Sequence, residues 1–275
     1  MKKLTVGKGV FGFFALLFAF IFLYPIYFTV ISSFKDNNEI WNTMFALPQT
    51  LMTDNFASAI GKIGILTSVM NSFIYSLGAT GVVVVVVTMG AYVIARRLLP
   101  GMGALKMYYL LGLMLPAYAM LIPMVKIFNS FSLNDNYPAM ILLYAAINFP
   151  MSFYLISGYV EGLSREIDEA AIVDGCGTIG IVFRIIFPIA KPGIFTAAII
   201  SFLAVYNELI FANTLLFQKT RQTISVTLLG LQGERFNSWG PMFASIVLSI
   251  IPILVIYLLF QEKIQGGTAA GAVKG

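Results

Sequence analysis

Between Asn71 and Ala95 the chain is apolar almost throughout and carries six consecutive valines, Val82 to Val87. In water such a run argues for a buried strand, because β-branched side chains pack well on a pleated surface. In lipid the argument reverses. A single strand leaves backbone groups unpaired in hydrocarbon, so a lone apolar segment of this length has only the helix open to it. Composition decides which solvent applies: 59% of residues are hydrophobic and 11% charged, where a soluble domain carries about 25% charged residues. The chain is predicted to be an all-α integral membrane protein.

Six spans are expected, at about 10–34, 71–95, 107–128, 137–159, 193–217 and 241–259, within a transmembrane domain 10–262. The first follows Lys2, Lys3 and Lys8. Its apolar run exceeds the 7–15 residues of a signal-peptide core and lacks a small-residue cleavage site, so it is expected to stay. Residues 35–67, with Asp36, Asn37, Asn38, Trp41, Pro48 and Asp54, are too polar to cross and are expected to form an external loop with a short interfacial helix. Pro116, Pro123 and Pro150 are expected to kink their helices, which leaves backbone carbonyls free to face a cavity. Such kinks are equally consistent with a plain structural role.

Basic residues orient the spans. Lys2, Lys3, Lys8, Arg96, Arg97, Lys106, Arg165, Arg184, Lys191, Lys263 and Lys274 fall on one side. Lys35, Lys62, Lys219, Arg221 and Arg235 fall on the other, with Lys126 near the outer end of its span. This bias places both the N-terminus (1–9) and the C-terminal tail (263–275) in the cytoplasm of an inner or plasma membrane. A net charge of +5 spread over short loops fits anionic lipid headgroups rather than nucleic acid. With no His and only Cys176, the chain lacks the means for a His-based catalytic triad, a Cys/His zinc site or an internal disulfide. No phosphate-binding P-loop occurs, so any ATP use falls to a separate subunit. Neither enzymatic activity nor a cofactor is expected.

The largest charged island between apolar spans is the loop 161–192. Ser164 can cap a helix over about 165–174 whose first turns carry Glu166, Asp168 and Glu169, acids suited to the positive end of the helix dipole. Ile167, Ala170 and Ala171 recur at i, i+3 and i+4, giving a small apolar face opposite an acidic one. Gly175 supplies the stop. Thr178 can cap a second short helix, which Pro188 breaks before Pro192 starts the next span. Helix, glycine elbow and helix together make a docking surface.

In Glu169-Ala170-Ala171, Asp174-Gly175, Phe183, Ile186 and Pro188 this loop resembles the EAA loop of ABC-importer membrane subunits, in the Asp-Gly form typical of carbohydrate importers of the maltose-permease type. Cys176 stands where Ala is common and Phe187 where Leu is common, both small changes of apolar shape. Asn55-Phe56 and Asn71-Ser72 also resemble that family. The resemblance implies a six-span permease subunit that imports a sugar or oligosaccharide. It implies a second, homologous permease, two ATPase subunits docked through Glu169, Ala170, Ala171, Asp174, Gly175, Ile186 and Pro188, and an extracytoplasmic binding protein. The tail would by composition be a flexible end. Its closing Gly271-Ala272-Val273-Lys274-Gly275 is similar to that of the shorter permeases of this type, which implies a tail contact at Gly271, Lys274 and Gly275. An importer of polyamine or phosphate is the alternative within the class, and the Asp174-Gly175 form argues against it. A stand-alone channel or secondary carrier would need no docking loop.

Asn207 and Glu208 fall inside the expected fifth span. An ionisable group there is costly unless paired or wetted, so both are candidates for the translocation path. A hydrogen bond within the bundle or at a subunit interface is the competing reading.

Overall fold

The computed structural model describes residues 3–231 and 239–272. Every regular element among them is helical: α1 (Lys3–Ser32), α2 (Asn37–Asn42), α3 (Asp54–Ser58), α4 (Ile65–Ala95), α5 (Met102–Leu111), α6 (Leu121–Ser130), α7 (Tyr137–Glu161), α8 (Glu166–Val173), α9 (Thr178–Ile189), α10 (Lys191–Tyr206), α11 (Ile210–Leu215), α12 (Ile224–Gly230) and α13 (Trp239–Ala272). Four of these, α1, α4, α7 and α13, are long and apolar enough to cross a membrane alone. The number rises to six if two bent pairs each count as one span: Met102–Met114 with Ala117–Ser130, at 92°, and α9 with α10, at 83°.

The chain forms two compact units. The first comprises residues 1–66 and 227–254. Along α1 the aromatic and aliphatic side chains from Val10 to Leu23 are largely exposed, as suits a helix solvated by lipid rather than packed in a core. Beyond Ser32 the chain turns back on polar contacts. Asn55 donates both amide hydrogens, to the carbonyls of Ser33 and Lys35, each at 2.9 Å. The buried Lys35 ammonium donates to the Thr43 carbonyl at 2.6 Å. Asp36 caps α2 by accepting from the Glu39 N–H at 2.7 Å. Trp41 and Trp239 meet edge to face at 5.3 Å.

The second unit comprises 67–226 and 255–275. The valine run is helical, and α4 buries one stripe at i, i+4 steps: Tyr75, Ala79, Val83, Val87 and Ala91. Val85 and Val86, on the other side, are exposed. Periodicity was hidden in the sequence because every residue of the run is equally apolar. Close backbone approach fixes the neighbours. A Cβ on Gly78 would meet Ile141 of α7 at 2.7 Å, and one on Gly193 of α10 would meet the Tyr159 ring of α7 at 2.2 Å.

Two expected spans are not single helices. Over 107–128 the chain leaves α5 through a 3-10 turn, extends at Leu115 and Pro116, and re-enters through a second 3-10 turn. Pro116 accounts for this, since its ring pushes the preceding residue into extended backbone, and Leu115 has ψ 123. Over 193–217, α10 ends at Tyr206 and α11 begins at Ile210. Pro150, by contrast, lies inside an uninterrupted α7. The helix over the last expected span also runs on to Ala272, where composition had favoured a flexible tail.

Candidate functional site

The segment after α7 is built on one buried cation. Arg96, at the end of α4, donates through Nη1 to the Leu163 carbonyl at 3.0 Å and through Nη2 to that of Ser164 at 3.4 Å. Its Nε faces Asp168 Oδ2 in an ion pair whose side chains are only 6% and 9% exposed. Arg96 thus satisfies the free carbonyls beyond α7 and clamps the first turn of α8 against the end of α4. Ser164 Oγ accepts from the Glu166 N–H at 3.3 Å, so it serves the start of α8. At the other end Gly175 has φ +79. Its N–H donates to the Ile172 carbonyl and that of Cys176 to Ala171, both at 2.9 Å. This paired arrangement, with a left-handed residue just past the helix, closes α8 as a Schellman motif.

Burial divides α8 differently from the expected apolar and acidic faces. Asp168 and Ala171 are buried inside this chain, whereas Glu169, Ala170 and Asp174 are exposed. Ile172 and Val173 are 61% and 86% exposed. The outward surface therefore combines the acids Glu166, Glu169 and Asp174, one small residue and two bare aliphatics. Ala171 is a core residue of its own chain.

Thr178 makes no capping bond; Gly177 occupies that position in extended backbone. The following helix widens into a π-helical turn over Ile181–Ile186. Pro188, expected to break it, instead sits near the start of a further helical turn. The wide turn relieves the clash that a proline ring makes with the carbonyl four residues back. The break falls at Ala190, with Pro192 in the first turn of α10. Ile181, Val182 and Ile186 are buried, and Pro188 is exposed.

The second polar site is the gap between α10 and α11. Asn207 returns its amide to the Leu203 carbonyl at 2.9 Å. Glu208 accepts three hydrogen bonds: from the Phe211 N–H at 2.8 Å, the Ala212 N–H at 3.0 Å and the Tyr144 hydroxyl at 2.8 Å. It therefore caps α11 and ties the break to α7. Nearby loop residues are fixed in the same way. Asn71 donates to the carbonyls of Thr220 and Gln222 at 3.0 and 2.9 Å, and Ser72 Oγ accepts from the Ile224 N–H at 2.9 Å.

A cleft of about 700 Å³ opens where the bent pair meets α7, lined by Tyr108, Tyr109, Gly112, Met114, Phe149 and Pro150 among others. Ala146, four residues before Pro150, also lines it. Its carbonyl has lost its usual helical donor because Pro150 has no N–H. Of the expected tail residues, Gly271 falls in the last turn of α13, and Lys274 and Gly275 lie outside the described residues.

Arg96 and Tyr144 were not singled out in the sequence. A basic residue just past an apolar span, with acids in a later polar segment expected on the same side, is a usable signal for the first. Nothing in the sequence marks the second.

Broken apolar helices, a carboxylate at the α10–α11 gap and a cleft at the other bent pair are features of membrane translocation components. The chain belongs to the family described as "Binding-protein-dependent transport system inner membrane component", whose model matches residues 99–268. It is thus a multi-pass inner membrane protein and a permease subunit of an ABC import system, which works with ATPase and binding-protein components. Such subunits pass solute and are not themselves enzymes. Family membership also sets aside a stand-alone channel or secondary carrier. The chain is 32% identical to the probable ABC transporter permease protein YurM of Bacillus subtilis, over 100% of this chain and 91% of the relative. It is 28% identical to the diacetylchitobiose uptake system permease protein NgcG of Streptomyces coelicolor, over 94% and 86%. Its fold matches a chain from the crystal structure of a bacterial ABC transporter involved in the import of the acidic polysaccharide alginate. That match has a TM-score of 0.84 and 22% identity, and covers 94% of this chain and 96% of the other.

Proposed function

We propose that this chain conducts a sugar or oligosaccharide, and that the segment 161–192 couples it to the ATPase. The observation that carries the coupling reading is the division of α8. Asp168 and Ala171 anchor it to its own chain, while Glu169, Ala170, Ile172 and Val173 stand out unaccompanied. Aliphatics so exposed on a short polar-loop helix are best explained by a partner groove. The Asp174-Gly175 form of the loop and the carbohydrate relative above favour sugar over polyamine or phosphate.

In this reading the partners are a second, homologous permease, two ATPase subunits and an extracytoplasmic binding protein, with both termini in the cytoplasm. ATP binding closes the ATPase pair, α8 follows as a rigid lever through Arg96, and the spans alternate between two openings. The cleft at the bent pair belongs to the path, since non-helical backbone at membrane depth is stable where it lines protein or a wet cavity. Asn207 and Glu208 act on the path by holding the α10–α11 break. Gly271, Lys274 and Gly275 add a tail contact.

The test is uptake into vesicles that contain the chain with its co-purified subunits and binding protein, using labelled oligosaccharide, polyamine and phosphate in parallel. ATP-dependent accumulation of the oligosaccharide alone is expected. Accumulation of either other solute in its place would overturn the substrate reading and leave coupling untouched.

A further inference from the structure

Helices α4 and α8 end on the same backbone device with opposite residue choices. Beyond α4, the Arg97 N–H donates to Ile94 and the Leu98 N–H to Val93, at 3.1 and 3.2 Å. This is the pattern that closes α8 at Gly175. Here the left-handed position, φ +53, is filled by Arg97. Such a position favours glycine, because a Cβ there crowds the neighbouring carbonyl. A residue held in a disfavoured conformation points to something its side chain does.

Arg97 lines a cavity of about 280 Å³ together with Lys106, Glu161, Arg165, Ile94 and Met102. Lys106 is paired with Glu161 at 2.5 Å. Neither Arg97 nor Arg165 has an acidic partner among the described residues. The cavity thus gathers two guanidiniums without an acidic partner among the described residues, beside the apolar Ile94 and Met102, at the polar end of α4, α5 and α7. Arg96, the adjacent cation, is turned away into Asp168 and does not take part. Leu98, Leu99 and Met107 are exposed close by in the chain and form an apolar rim. The volume lies below the roughly 300–1,000 Å³ of typical small-molecule sites, which suits a single headgroup better than a nucleotide.

We propose that this cavity is a binding site for the phosphodiester headgroup of an anionic phospholipid, held by Arg97 and Arg165 with the acyl chains lying over Leu98 and Leu99. Planar guanidiniums suit phosphate oxygens through paired N–H donors, and basic pockets between membrane helices are where such headgroups bind. The proposal does not depend on the substrate; Arg165 and Glu161 belong to the segment 161–192, but they face this cavity whether or not that segment couples to an ATPase.

The test is native mass spectrometry of the full-length chain, purified with its accompanying subunits and titrated separately with dioleoyl phosphatidylglycerol and dioleoyl phosphatidylcholine. One phosphatidylglycerol should be retained per chain in preference to phosphatidylcholine, and R97Q/R165Q should weaken that retention roughly 30-fold. The pair K62Q/K219Q removes the same charge elsewhere and should change nothing. Arg97→Gly provides a variant that cannot fail through misfolding of the turn: it should melt no lower than the parent and still retain less phosphatidylglycerol. Equal retention of the two lipids would overturn the proposal. So would equal losses from both charge-removal pairs, or undiminished retention in Arg97→Gly. Displacement of phosphatidylglycerol by millimolar inorganic phosphate would make this a free-anion site and would also overturn it.

Discussion

Two carboxylates lie at helix ends in apolar surroundings, and the protein accommodates them in opposite ways. Asp168 faces a single full charge, the Arg96 guanidinium, with both groups withdrawn from water. Glu208 faces no cation among the described residues and is held by dipoles: two backbone N–H groups at the start of α11 and the Tyr144 hydroxyl. A charge pair concentrates its energy in one contact, and losing either partner strands the other. A dipole cage spreads the same task over three donors, each removable at modest cost. The first arrangement suits a rigid lever, the second a break that must shift between states.

The largest effect expected from this contrast is at Asp168. Asp168→Ala leaves Arg96 buried without a counter-charge, a change that costs about 3–5 kcal/mol. It should lower the melting temperature of the purified chain and its level in the membrane. Replacing both partners with apolar residues of similar size, Arg96→Met with Asp168→Leu, should recover most of the loss. Failure of the double variant to recover would show that the contacts of Arg96 to Leu163 and Ser164 matter more than the pair.

At Glu208 the expected effect is smaller. Glu208→Gln retains one acceptor oxygen and loses the charge, so of the two helix-start N–H groups only one stays well satisfied, at a cost of about 1–3 kcal/mol. Tyr144→Phe removes one donor and should cost less, about 1.5 kcal/mol or below. Uptake should fall in Glu208→Gln beyond what its small drop in melting temperature explains. Unchanged uptake would make the cage purely structural.

How far the sequence disclosed this arrangement follows from the same contrast. The membrane setting, the helices and the loop 161–192 were legible because lipid permits few alternatives, and because charged islands stand out against apolar spans. The glycine stop at Gly175 was legible because its physics is local. The inward turn of Asp168 and Ala171 was not. The spacing Ile167, Ala170 and Ala171 defines a stripe, but which stripe faces its own chain depends on Arg96, about seventy residues earlier. The interruption at Asn207 was hidden for a related reason: hydropathy reads the apolar residues on both sides as one span, while Glu208 both caps a new helix and accepts from Tyr144, about sixty residues earlier. The tail illustrates a different limit, since composition describes a free end and not one continuous with a long helix.

Adjacent alanines sharpen the comparison within α8. Ala171 is buried in its own chain and Ala170 is exposed. Ala171→Leu therefore forces bulk into a packed core at about 1–3 kcal/mol, and should lower the melting temperature of the isolated chain. Ala170→Leu should leave that temperature unchanged while reducing ATPase co-purification and uncoupling hydrolysis from uptake. Glu169→Lys should resemble Ala170→Leu. Loss of stability in both alanine variants would place both faces of α8 inside the chain, and the docking reading would fall.

The smallest effect expected is at Gly175. A Cβ there would meet no atom within 4 Å, so the site is sterically open and only φ +79 opposes a side chain. Gly175→Ala should then cost about 1 kcal/mol, through the left-handed backbone alone. Gly175→Asn should cost less, because Asn tolerates that region. Gly175→Val should cost more, since a β-branched residue is a genuine outlier at positive φ. The order Asn, Ala, Val in falling melting temperature is the measurement. If the three variants melt alike but differ in ATPase co-purification, the space around Gly175 belongs to the partner, and the residue is glycine for docking rather than for the turn. If they melt in the stated order with coupling intact, the elbow only ends α8, and the lever relies on Arg96 and Asp168 alone.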